Sequence, residues 1–211
     1  FIPDSRILSV NSSKRILRER LKQNDIDLIV STGPPHSMHL IANSLKEEFN
    51  IPWISDFRDP WTGIEYFEKL PLLPYAKKIH KRLEHKILSS CDQLITVSES
   101  WAKHLNNLGA KNAAVIYNGY DPEDFSPNTL VHAKITIAHF GTYPQTRNHD
   151  KLWKHIEKWC ESNSSKNELE FHFYGFVYAS FEEELKKFSF FNSVKIKAPI
   201  PHKEATKKMS E

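Results

Sequence analysis

The sequence is poor in the residues that mark the commoner kinds of site. Its 211 residues hold two cysteines, Cys91 and Cys160, both in helical patterns and without metal-ligand spacing. A disulfide scaffold and a thiolate metal centre are therefore not indicated, and a reduced, cytosolic chain is expected. No apolar run approaches the roughly 20 residues that a membrane-spanning helix needs. Net charge is only +3, from 29 basic and 26 acidic residues, so no nucleic-acid partner is expected. The spaced glycines of a dinucleotide fingerprint and the lysine of a phosphate loop are missing, as is a nucleophile elbow around Ser98 or Ser100.

Short apolar runs that end abruptly are present throughout. Residues 27–31 read as a buried strand delivering Gly33-Pro34-Pro35-His36, and residues 52–55 as a strand delivering Asp56, Arg58, Asp59 and Pro60. Open parallel sheets bind ligands at the carboxyl ends of their strands, where these residues fall. Helices are expected over 12–24, capped by Ser12 or Ser13 with Ile16, Leu17 and Leu21 on one face, and over 36–49. A strongly basic helix is expected over 75–90, with Tyr75, Ile79, Leu83 and Ile87 as its apolar stripe. A strand over 93–97 leads to a helix capped by Ser98 and ended at Gly109, and a further strand covers 113–117. After a polar, proline-containing stretch the alternation restarts, with strands over 134–140, 169–174 and 193–197. Helices follow over 150–160 and 180–188, and another closes the chain. The pattern predicts an α/β fold of two Rossmann-like parallel-sheet units, both incomplete. Residues 1–122 form most of the first, 123–133 a linker, and 134–211 the first part of the second. The chain opens at Phe1 without a methionine and closes in a helical pattern, as a piece of a longer polypeptide would.

Each candidate site has a functional and a structural reading. Two acids flanking one arginine, Asp56, Arg58 and Asp59, suit sugar hydroxyls or proton transfer, with the arginine orienting either acid. The same three residues could instead be an ion pair that fixes the loop. Two acids alone leave a metal short of ligands, so no metal or other cofactor is expected. Gly141, Thr142 and Arg147 lie between a strand and a helix, where an anion finds backbone N–H groups and a guanidinium. A plain turn with a surface arginine is the competing reading. His36 either meets a ligand or is solvated. Asn118-Gly119-Tyr120-Asp121 fits a tight turn with Asn118 or Gly119 at positive φ. His80, His85, Lys77, Lys78, Lys81, Arg82 and Lys86 form a face that is either solvated or touches an anionic membrane surface.

Six segments, in this order, carry a resemblance to a known family: DLIVSTGPPHS, IPWISDFRDPW, LEHKILSSCDQLITVSES, VIYNGYDPEDF, IAHFGTYPQTRN and IPHKEA. Together they resemble the family-4 retaining glycosyltransferases of GT-B fold, particularly bacterial members. The resemblance implies two Rossmann-like domains, the first for a glycan or lipid-linked acceptor and the second for a nucleotide-sugar donor. It implies that Gly141, Thr142 and Arg147 meet the donor phosphates, and Pro201 and His202 the base. Asp56, Arg58 and Asp59 would face the transferred sugar, where many relatives have a histidine. Pro35 and His36 would lie on the acceptor side, and Asn118, Gly119 and Asp121 beside the interdomain hinge. The glycine-rich loop of the family's first strand and its paired glutamates would lie outside this chain, so the piece alone is expected to be inactive. A cytoplasmic place, with the 75–90 helix at the inner membrane face, accompanies this reading. The rival readings are another nucleotide-sugar enzyme, such as an epimerase or phosphorylase, and a non-catalytic glycan- or nucleotide-binding module.

Overall fold

A computed structural model describes residues 1–23, 25–125, 134–144, 148–162 and 169–210. The chain divides into two compact units, Phe1–Gly119 and Tyr120–Glu211. Each is an α/β unit built on one parallel sheet.

In the first unit the strands are β1 (Ile29–Gly33), β2 (Trp53–Phe57), β3 (Gln93–Thr96) and β4 (Ala113–Val115), hydrogen-bonded in that order. They are joined by α2 (Ser37–Phe49), α3 (Pro74–Ser90) and α4 (Glu99–Asn107), while α1 (Val10–Leu21) packs against α2. β2 alternates strictly. Trp53, Ser55 and Phe57 are fully buried, and Ile54 and Asp56 face the other way. Around Trp53 and Phe57 gather Ile87 and Leu88 of α3, Leu94 of β3 and Leu105 of α4. Burying side chains of this size is worth about 1.5–3 kcal/mol each, which is what holds the sheet to its helices.

Local chemistry sets the ends of the helices. Pro74 opens α3 at a position whose N–H would have no partner in any case. Asn50, at φ 54°, turns the chain out of α2, and Gly109, at φ +114°, follows α4. Ser98 caps α4 through the Trp101 N–H, as the sequence predicts.

Three expectations need correction here. α1 starts at Val10, because a 3-10 turn over Ser5–Ser9, capped by the Asp4 side chain, already sets the helical direction. Ser12 lies inside the helix and bonds back to the Ser9 carbonyl, and Ile16 is exposed while Val10 and Leu21 are buried. β1 is displaced two residues from its predicted place, because its register is fixed by pairing Ile29 with Trp53 and Gly33 with Phe57. On α3, Tyr75 is 72% exposed, and the fully packed positions are His80, Glu84, Ile87 and Leu88.

In the second unit β5 (Ile135–Phe140), β6 (Leu169–Tyr174) and β7 (Val194–Lys197) pair in sequence order. Their helices are α5 (Asp150–Ser162), α6 (Ala179–Leu185) and α7 (His202–Ser210). The core is aromatic: Trp153, Phe171, Phe173, Phe181 and Phe190, closed by Leu185 and Cys160. A 3-10 turn over Pro122–Asp124 packs on α7, where His202 Nε2 donates to Asp124 Oδ2 at 2.9 Å. Most of the expected linker, residues 126–133, lies outside the described residues.

Candidate functional site

The carboxyl ends of β1 and β2 hold the first cluster. Two prolines leave β1, and His36 stands just ahead of α2 without capping it. That work falls to Asp4, whose carboxylate accepts from the Ser37 N–H (2.9 Å) and Ser37 hydroxyl (2.8 Å). His36 is thus released to stack on Trp61, with centroids 4.8 Å apart and planes 2° from parallel. It is half-buried, and burial pulls its pKa down to about 4, which keeps the ring neutral at physiological pH.

Beneath it lies His39, which sequence reasoning missed. Its ring is fully buried and stacked on Phe57 at 4.6 Å. Its Nδ1 lies 2.8 Å from Ser31 Oγ and 3.2 Å from Ser55 Oγ, and the Trp53 indole donates to the same Ser31 oxygen at 2.8 Å. Burial lowers the His39 pKa to about 3. The signal was a serine on each of two apolar strands, with a histidine on the helix between them. Gly33 makes room for both imidazoles: a Cβ there would lie 2.4 Å from His39 Nε2 and 2.9 Å from His36 Nδ1.

The acidic loop after β2 is divided by its contacts. Register places Asp56 opposite Thr32, whose hydroxyl donates to Asp56 Oδ2 at 2.7 Å. The Arg58 guanidinium donates to the Pro34 carbonyl at 3.3 Å, and its backbone N–H to the Gly33 carbonyl at 3.2 Å. Arg58 pairs with neither acid among the described residues, so it neither orients a carboxylate nor forms the alternative ion pair. The guanidinium's acceptor is instead the Pro34 carbonyl, just past β1. Asp59 is half-buried, and its carboxylate has no hydrogen bond or ion pair among the described residues. With Pro35, His36, Trp61, Phe67 and His80 it lines a mostly apolar pocket of about 390 Å³.

α3 closes the back of this pocket. The Trp61 indole donates to His80 Nδ1 at 3.0 Å, and Glu84 accepts from the Thr62 N–H (3.1 Å) and the Thr62 hydroxyl. His80 was expected on the basic surface; instead it is 5% exposed, because Trp61 and Phe67 pack around it. Burial lowers the His80 pKa and raises that of Glu84. Of the other residues expected on that face, Lys77, Lys78, Lys81, Arg82 and His85 line a surface depression of about 550 Å³, and Lys86 Nζ lies 3.8 Å from Glu47. Beside them Leu73 and Tyr75 are exposed by 75% and 72%.

In the second unit the loop after β5 depends on two glycines. Gly141 has φ +105° and nothing within 4 Å of where a Cβ would stand, so its outer side is open. Gly175, at φ +148°, lets the β6 loop run against it: a Cβ there would be 2.2 Å from the Gly141 carbonyl oxygen. Beyond the strands, Tyr143 N–H continues the pairing by donating to the Phe176 carbonyl at 2.8 Å. Thr142 is exposed, while Tyr143 turns inward against Phe181, centroids 4.3 Å apart. Arg147 lies outside the described residues. Pro201 and His202 are exposed at the start of α7, where the Pro201 carbonyl accepts the Glu204 and Ala205 N–H groups. Phe140 stacks on Tyr174 at 5.0 Å, and Lys197 Nζ sits 4.8 Å over that ring, an aromatic and cationic corner the sequence did not announce.

Asn118 and Gly119 are exposed, and neither has positive φ, contrary to the predicted turn. The chain leaves β4 extended, since Ile116 N–H still reaches the Thr96 carbonyl at 2.8 Å. Asp121 caps the 3-10 turn by accepting from Glu123 N–H at 2.9 Å. Among the described residues no three His, Cys, Asp or Glu side chains could hold a metal ion, and no helix is long and apolar enough to cross a membrane.

Comparison with known proteins places this geometry. A family profile described as Glycosyltransferase Family 4 matches residues 1–124, and no curated protein sequence matches the chain. Among solved structures, sucrose-phosphate synthase from Thermosynechococcus elongatus is similar with a TM-score of 0.60 at 13% identity, over 100% of this chain and 55% of that one. HepE from Anabaena, solved in complex with UDP, gives a TM-score of 0.64 at 14% identity, over 94% and 54%. The lipopolysaccharide outer core galactosyltransferase WaaB gives 0.57 at 11%, over 93% and 50%. At such identities the likeness is one of fold. The chain spans about half the length of these structures.

Proposed function

The chain belongs to glycosyltransferase family 4, and from that premise we propose that it works within a longer polypeptide that moves a sugar from a nucleoside-diphosphate sugar to an acceptor hydroxyl, with retention of configuration. The observation that carries this reading is the Asp59 carboxylate, without a partner among the described residues, in a mostly apolar pocket beside a neutral, half-buried His36. A carboxylate without protein partners can accept hydrogen bonds from sugar hydroxyls, and a neutral imidazole adds a donor or acceptor without adding charge. Asp56 and Arg58, already bonded to Thr32 and Pro34, would shape the same edge.

On the donor side, Gly141 supplies an open bend and Thr142 an exposed residue next to it. In this reading Arg147 meets the diphosphate, and its charge offsets that developing on the leaving group, so no metal is required. Pro201 and His202 would lie toward the base. That HepE was solved with UDP and glucose supports a nucleotide-sugar donor here. The acceptor would be a glycan or lipid-linked saccharide. Leu73, Tyr75 and the cations of α3 would touch an anionic membrane surface from the cytoplasmic side.

The test is Arg147→Ala in the full-length enzyme, assayed with UDP- and GDP-sugars. Turnover is expected to fall about 100- to 1,000-fold with the melting temperature unchanged. An unchanged rate would discard the donor-side assignment.

A further inference from the structure

From Phe57 to Thr62, where the chain leaves β2, every residue but one is tied to a neighbour. The Phe57 carbonyl accepts from Thr96 Oγ1 at 2.8 Å. Arg58 is held by Gly33 and Pro34, Trp61 by His80 and the His36 ring, and Thr62 by Glu84 through two hydrogen bonds. Pro60 is buried. Of the polar side chains at residues 58–62, Asp59 alone has no hydrogen bond or ion pair among the described residues, and it lines the pocket. His80 and Glu84 stand four residues apart on α3, so both project from one face of the helix toward the loop.

We propose that His80 and Glu84 are positioning residues for the Asp59 carboxylate, acting through Trp61 and Thr62. The inference rests on the glycosyltransferase reading of Asp59 for its consequence, though not for its geometry. With no hydrogen bond or ion pair among the described residues, the Asp59 carboxylate takes its place from the backbone on either side and from the pocket wall. Burying Glu84 at 2% exposure is costly, and packing alone would be better served by a leucine or methionine. Burial also holds its carboxyl pKa above the ordinary value. What Glu84 alone supplies is a two-point grip on Thr62, which a hydrocarbon side chain cannot make. Displacement by about 1 Å at a reacting group can cost about 100-fold in rate.

Three variants of the full-length enzyme test this, with kcat and donor KM measured separately. Glu84→Ala should lower kcat about 100-fold and leave donor KM within about twofold. Glu84→Gln, whose amide can accept from the Thr62 N–H and donate to its hydroxyl, should restore most of that loss. Thr62→Val, which removes one of the two bonds without emptying the Glu84 site, should fall between them and serves if the alanine variant does not fold. A kcat that stays within about threefold of the parent in Glu84→Ala, or one that Gln fails to restore, overturns the proposal. The 211-residue chain provides a readout that needs no activity. The Trp61 indole N–H and Asp59 carboxyl resonances should shift in Glu84→Ala and return in Glu84→Gln. If they shift while the parent transfers no sugar, the glycosyltransferase reading fails and the clamp stands. If they do not shift, the clamp is wrong whatever the activity.

Discussion

The imidazole of His36 lies flat on the indole of Trp61, 4.8 Å away and within 2° of parallel. With the Arg58 hydrogen bonds to Gly33 and Pro34, this contact joins the β1 turn to the β2 loop, two sequence segments that had looked like separate sites. Because Asp4 caps α2, the histidine at the cap position is free to stack.

Gly33 is the tightest point in this arrangement. Gly33→Ala would drive a methyl into His39 Nε2 and His36 Nδ1, both parts of packed rings. Such overpacking should lower the stability of the first unit by about 1–3 kcal/mol, measured by urea unfolding.

Gly175→Ala should act on the second unit alone. Its Cβ would meet the Gly141 backbone, at a φ that side-chain-bearing residues rarely adopt. Two independent penalties make a loss of about 3 kcal/mol the expected outcome. Because the displaced strand end carries Gly141, nucleotide-sugar affinity in the full-length protein should drop as well. Calorimetric titration with UDP- and GDP-sugars would detect it.

Acid should unfold the first unit early. His36 and His39 have folded pKa values of about 4 and about 3, below the ordinary 6.5, so the unfolded chain binds more protons between those limits. Stability rises with pH wherever that holds. The contribution is therefore complete above pH 6.5, is lost progressively as pH falls, and is gone below the folded values. A tenfold difference in proton affinity between the folded and unfolded chain is worth about 1.4 kcal/mol. Replacing His39 with Gln should flatten the slope of unfolding free energy against pH in that window, and an unchanged slope would contradict the assignment.

Reversing charge on α3 should separate membrane contact from folding. Lys78, Lys81 and Arg82 are exposed and lie on the depression beside Leu73 and Tyr75. The triple change Lys78→Glu, Lys81→Glu, Arg82→Glu should weaken co-sedimentation with anionic vesicles at least about 100-fold, at unchanged thermal stability. Binding by the parent should itself fall as salt is raised.

Asp59 and Asp56 should respond differently to neutralisation. Asp59→Asn alters a carboxylate with no protein partner among the described residues, so it should reduce turnover in the full-length enzyme while leaving the melting temperature unchanged. Asp56→Asn alters a group bonded to Thr32 and should cost about 0.5–1.5 kcal/mol of stability. Equal behaviour of the two in thermal melts and rate assays would contradict the distinction.

Much of this was legible in the residues. The order of strands and helices, the break into two parallel-sheet units and the cap at Ser98 follow from periodicities and turn residues that act within a few positions. The family resemblance, spread over six segments, is the same information seen at longer range, and the match over residues 1–124 bears it out. The boundaries that slipped, at α1 and β1, were set by partners distant in sequence, such as the pairing of Ile29 with Trp53.

The sequence by itself determined which residues would reach the strand ends, because alternation and helical spacing are properties of a local backbone. Only the tertiary structure decided what each would do there. It took Arg58 from the acids and gave it to Pro34, buried His80 and Glu84 out of a basic helix, and left Asp59 without a partner among the described residues. Hydrogen bonds and ring contacts form between groups within a few ångströms in space, and spacing along the chain does not record which groups those will be.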